Sequence, residues 1–103
     1  MRRLLMIDLD RAWDLHPQVA LRDEPFGALV YHFGTRKLSF LKDRRLLAVV
    51  RGLAGAPTAR QACASCAVPP AELPRFGAAL GALARSAMLV ERAPAAGAGD
   101  GAP

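Results

Sequence analysis

The apolar residues of this chain change their period once, near Lys42, and that change limits the fold more than any other feature. Before it they alternate along the chain, and after it they recur every three or four residues. Alternation belongs to strands and the longer period to helices. At 103 residues there is room for one domain. The expected class is therefore α+β: a small winged-helix-like domain, with a three-stranded antiparallel sheet followed by three helices on one face.

In the strand half, Val19 and Leu21 alternate with Gln18, Ala20 and Arg22, which predicts a short first strand. Asp23-Glu24-Pro25-Phe26-Gly27 has turn chemistry. The second strand is predicted over 28–33, with Leu29, Tyr31 and Phe33 on one face and Ala28, Val30 and His32 on the other. Gly34-Thr35 is expected to form a two-residue hairpin loop. The third strand, 37–41, is expected to turn Leu38 and Phe40 inward and Lys37, Ser39 and Leu41 outward. Upstream, residues 8–16 are expected to form a short helical turn that buries Trp13 and ends at Pro17.

In the helical half, Asp43 is the expected N-cap of a helix whose stripe is Leu46, Leu47, Val50 and Leu53. Gly55 and Pro57 stop it. Thr58 and Gln61 have capping-box spacing and open a second helix, with Ala59, Ala62, Cys63 and Cys66 on its apolar side. A third helix is predicted from near Ala71, with Pro74 in its first turn and Leu73, Phe76, Leu80, Leu83 and Ala87 as its stripe. Met88-Leu89-Val90 is expected to extend it. The domain is placed at residues 1–92. Residues 93–103, all Ala, Gly, Pro or Asp, are expected to be a disordered tail.

Nothing in the chain has the spacing of a catalytic site. Cys63-x-x-Cys66 falls on an apolar helical stripe, not after a strand as thiol redox chemistry requires, so packing is the expected role. A zinc site would need two more ligands, and His16 and His32 lie on unrelated elements. There is no phosphate loop and no carboxylate pair on a helix face. The expectation is a protein that is not an enzyme, with no catalytic residues, no metal and no cofactor.

The net charge is +5, and twelve of the fourteen basic residues are Arg. Such a domain attracts nucleic acid, anionic membrane or an acidic protein segment alike. No apolar run approaches the roughly 18 residues of a membrane span, and Asp8 and Asp10 interrupt the apolar start. A cytoplasmic protein without a membrane partner is expected. Arg36, Lys37 and Lys42 bracket the third strand, Arg44 and Arg45 open the first helix, and Arg75 lies in the first turns of the third helix. Packed together, they would rim a groove with an apolar floor.

The block 16–41, HPQVALRDEPFGALVYHFGTRKLSFL, resembles the small peptide chaperones of mycofactocin biosynthesis, the MftB family. Leu47-Ala48-Val49-Val50-Arg51 and Ala71-Glu72-Leu73-Pro74 fit as well, and the likeness covers about residues 8–92. The Ala/Gly/Pro tail and the Met1–Leu5 start depart from the family pattern. The family is PqqD-like, a group of RiPP recognition elements, and the resemblance implies three strands followed by three helices. It also implies a cytoplasmic chaperone that binds the leader of a ribosomally made precursor peptide and presents it to a radical S-adenosylmethionine maturase, which acts on a C-terminal Val-Tyr. The leader would add to the third strand and lie against the third helix. Mapped here, the peptide-binding residues are Arg36, Lys37, Leu38, Ser39, Phe40, Leu41 and Lys42, with Leu73, Arg75, Phe76, Gly77, Leu80 and Leu83 opposite. Gly77 and Gly81 either leave room for leader side chains or mark tight helix–sheet contacts. The competing reading is a winged-helix nucleic-acid-binding protein. Against it, the recognition helix would open Pro70-Ala71-Glu72-Leu73-Pro74, with few side chains for bases or phosphates.

Overall fold

The computed structural model describes residues 7–92. Its elements run β1 (Trp13–Leu15), β2 (Val19–Glu24), β3 (Gly27–His32), β4 (Lys37–Leu41), α1 (Arg44–Gly52), α2 (Ala59–Ser65), α3 (Leu73–Arg85) and β5 (Leu89–Glu91). Short 3₁₀ turns, Leu53–Gly55 and Pro70–Glu72, lead out of α1 and into α3. β2, β3 and β4 form an antiparallel meander in that order, and β1 pairs with β5 in a separate ribbon. The α+β order of three strands and three helices is present, with the ribbon added to it. The expected tail, 93–103, lies outside the described residues.

One face of the meander makes the core. Ala28, Val30, His32 and Leu41 are buried there together with Leu47, Val49 and Val50 of α1 and Phe76, Leu80 and Leu83 of α3. The expectation for β4 is reversed: Leu41 is 3% exposed, whereas Leu38 and Phe40 are 51% and 55% exposed. Leu38, Phe40 and Leu41 are all apolar, so alternation within β4 cannot choose the inner face. The register on β3 chooses it, because Val30 pairs with Ser39 and Ala28 with Leu41. A shift of one residue would send every side chain of the strand to the other face.

The β3–β4 hairpin also differs from expectation. His32 pairs with Lys37, so the loop has the four residues 33–36 and not Gly34-Thr35 alone. Arg36, at φ 66°, takes the left-handed conformation, and its amide donates to the His32 carbonyl at 2.7 Å. The buried His32 ring fixes the longer loop, since its Nδ1 accepts from the Gly34 and Thr35 amides at 3.0 and 3.1 Å. At the other end of the hairpin Gly27 is obligatory. Its φ is 147°, and a Cβ there would stand 1.9 Å from the Leu41 carbonyl oxygen.

Residues 8–16 do not form the expected helical turn. The first amides of α2 need acceptors from outside the helix. The Ala59 amide donates to the Arg11 carbonyl at 2.9 Å and the Arg60 amide to the Leu9 carbonyl at 2.8 Å. These contacts hold the segment open, and it continues as β1 with Trp13 half-buried. The partner strand arises at the end of α3. Ala87 turns left-handed at φ 62° and the Met88 amide donates to the Leu83 carbonyl at 2.9 Å, a Schellman closure. Ala87 therefore leaves the α3 stripe, and Met88-Leu89-Val90 runs into β5 instead of extending the helix. Arg92 then ties the ribbon to the end of α1, donating to Asp14 at 2.6 Å and to the Ala56 carbonyl at 2.6 Å.

The starts of α1 and α2 match their local signals. Asp43 accepts from the Arg45 and Leu46 amides, and Thr58 accepts from the Gln61 amide.

Candidate functional site

β4 is an edge strand: it bonds to β3 on one side, and no strand among the described residues covers the other. In an antiparallel pair, alternate residues turn their N–H and C=O toward the partner and away from it. About half of the polar backbone of β4 is therefore unpaired within the sheet, a template for an added strand. Five residues give an edge of about 17 Å.

Arg36 and Lys37 stand at the hairpin end of that edge and Lys42 just past its far end, all three exposed. None of them has an ion pair among the described residues. Where β4 passes into α1, a small cleft of about 40 Å³ is lined by Asp43, Leu46, Arg75, Phe76 and Ala79. Its polar wall is already paired. Arg75 donates to Glu72 at 2.7 Å and to Asp43 at 3.4 Å, and its guanidinium lies 4.9 Å from the centre of the Phe76 ring. The Glu72 hydrogen bond, more than Asp43, raises the Arg75 pKa above its usual value. Partial burial pushes the Asp43 carboxyl up, but the Arg45 and Leu46 amides and Arg75 outweigh it and hold it below the usual carboxylate value.

The fold thus brings Arg75 and Phe76 together beside Asp43, the residue after Lys42. It also sets most of the expected wall deep in the core. Phe76, Leu80 and Leu83 are core residues with 2%, 0% and 5% exposure, and Leu73 is half-buried. Gly77 is buried, and its carbonyl accepts from the Ile7 amide at 3.0 Å. The upstream chain meets α3 at that carbonyl. Asp43, Leu46 and Ala79 are cleft residues that the sequence reading did not assign to the site. Asp43 and Leu46 were visible only as a cap and a stripe member, because the α1–α3 approach that joins them to Arg75 is not local.

The other candidate groups are built into the structure. Cys63 is buried and Cys66 half-buried, both as free thiols. Burial, aided by Cys66 and opposed by Arg60, pushes the Cys63 thiol above its ordinary pKa, the reverse of an activated nucleophile. The His16 and His32 rings lie 4.4 Å apart, and the Nδ1 of each accepts backbone amides in its own turn. Among the described residues, no three or more His, Cys, Asp or Glu side chains converge as metal ligands. No helix there is long and apolar enough to cross a membrane.

Comparison with known proteins identifies the family. The profile of the Peptide chaperone MftB family matches residues 12–90. A peptide chaperone MftB of Mycobacterium tuberculosis is 59% identical over 85 residues, 82% of this chain and 78% of that protein. Its namesake from Mycobacterium ulcerans is 60% identical over 83 residues, covering 81% and 76%. That of Mycolicibacterium smegmatis is 52% identical over 86 residues, covering 84% of each. No solved structure gives a significant match. On the extent of the profile match and the identity of these relatives, the chain belongs to the peptide chaperone MftB family.

Proposed function

We propose that this protein is a non-catalytic peptide chaperone of mycofactocin biosynthesis. In this reading it works in the cytoplasm and binds the leader of a ribosomally made precursor peptide by strand addition to β4. It then presents the peptide to a radical S-adenosylmethionine maturase. The family membership supports the chaperone role. The observation that carries the mechanism is the free edge of β4, with unpaired cations at both ends and the Phe76-floored cleft beside its exit.

An extended leader would gain affinity from backbone hydrogen bonds along 37–41 and register from alternate side chains. Leu38 and Phe40 would flank its outward residues. Ser39 and Leu73 would meet its inward ones, while the buried Leu41, Phe76, Gly77, Leu80 and Leu83 would support that wall from within. Arg36, Lys37 and Lys42 would steer an acidic leader and set its register, and Arg75 would exchange a carboxylate of Glu72 or Asp43 for one of the leader.

The test is a calorimetric titration with a synthetic leader, expected to bind at micromolar Kd or tighter, about −8 kcal/mol. Mixed-sequence duplex DNA should bind weakly and lose affinity steeply with salt. Tight DNA binding at physiological salt without leader binding would replace this reading with a nucleic-acid one.

A further inference from the structure

Among the described residues, the four exposed large apolar side chains, Phe26, Phe33, Leu38 and Phe40, all belong to the outer face of the β2–β3–β4 sheet. They are joined into one surface. Phe26 meets Phe40 edge-on with centroids 6.0 Å apart, and Phe40 pairs across the strands with Leu29. Leu38 pairs with Tyr31, whose ring meets Phe33 at 4.9 Å. A depression of about 340 Å³ lies in this surface, walled by Ala20, Arg22, Leu29, Tyr31, Phe33 and Leu38. A continuous apolar patch of this kind marks an interaction site in a soluble domain. Tyr, Phe and Arg are also the residues that dominate interface cores.

The charges around the patch indicate what covers it. Arg22 rises from β2, Arg36 sits in the hairpin loop, and Arg44 is held beside Phe26 by its bond to the Pro25 carbonyl at 2.8 Å. Among the described residues the acid on this face is Glu24, already paired with Arg22 at 3.2 Å. A second copy would bring arginines against arginines, whereas a partner rimmed with carboxylates would meet complementary charge. A leader added to β4 would continue the plane of the sheet and leave this face open, so both surfaces can be occupied together.

We infer that the outer face of the β2–β3–β4 sheet docks the modifying enzyme, through an apolar patch on that enzyme rimmed by carboxylates. This rests on the peptide-presenting reading above. The test compares the full chain with Phe33→Glu and Phe26→Glu, each checked for native amide spectra and melting temperature. Affinity is measured separately for the purified radical S-adenosylmethionine maturase and for the synthetic leader. Loss of enzyme affinity by about tenfold or more, with leader affinity held within about twofold, is the expected result. Unchanged enzyme affinity in folded variants overturns the inference, as does a wild-type chain that does not bind the enzyme. Sedimentation that shows a wild-type dimer broken by Phe33→Glu also overturns it, because a second copy then covers the face. A wild-type chain that binds enzyme but no leader refutes the peptide-presenting reading instead, and the enzyme affinities still decide the docking face.

Discussion

The two faces of the β2–β3–β4 sheet are both apolar, and the helices cover only one of them. On the inner face β3 offers Ala28, Val30 and His32, wholly or almost wholly buried. On the outer face the same strand offers Leu29 and Tyr31, next to the exposed Leu38 and Phe40 of β4. The difference is one of size as well as side. Ala28 and Val30 let α1 approach the sheet closely, and the bulkier side chains are left toward solvent. Hydrophobicity therefore does not mark the interior of this domain, and an exposed aromatic surface beside a free edge is the feature that folding alone does not explain.

The largest expected effect comes from breaking the join that holds β4 on the inner side. Gly27→Ala would drive a Cβ into the Leu41 carbonyl and force a strained φ, at a cost on the order of 3 kcal/mol or more. Denaturant unfolding would measure it, and a loss under about 1 kcal/mol would mean that the β3–β4 join is looser than described. The two faces are compared directly by Val30→Ala and Leu38→Ala. The first deletes buried methyl groups and should cost about 2 kcal/mol; the second should stay within about 0.5 kcal/mol. Equal losses would show that the outer face is covered in solution.

The covered side continues into α2, where Cys63 faces the core. Changing both Cys63→Ala and Cys66→Ala should cost about 1–2 kcal/mol and leave leader affinity within a few-fold. Stoichiometric zinc in the purified protein, or lost maturation with the fold intact, would assign the thiols a chemical role. A smaller effect than that of the cysteine pair is expected at Asp43, which joins β4 to α1. Asp43→Ala should cost about 1 kcal/mol through the lost cap. Because the folded carboxyl titrates below its ordinary pKa of about 3.9, its ionised-state contribution is complete above that pH. It is lost as pH falls through the folded value. Melts of wild type and variant should therefore converge in acid and stay separate at neutral pH.

Local chemistry was legible in the sequence. The caps at Asp43 and Thr58, the period change near Lys42 and the edge position of β4 all follow from neighbouring residues. The unpredicted features depend on distant ones. β1 exists because Leu9 and Arg11 supply acceptors to α2 and because β5 returns beside it, some 75 residues later. The inner face of β4 depends on register against β3, since Leu38-Ser39-Phe40-Leu41 is apolar on both sides. Of the site, the open edge and its cations were readable. The burial of Leu80 and Leu83 and the Arg75–Asp43 link were not, because both require the packing of α3 against the rest of the domain.

The central claim is that the free edge of β4 holds the leader, and amide chemical-shift mapping with added leader tests it most directly. The account predicts perturbations clustered at residues 36–42 and along 73–83, with the largest shifts in β4 where new backbone hydrogen bonds form. Perturbations confined to residues 18–22, on the opposite edge at β2, would contradict it.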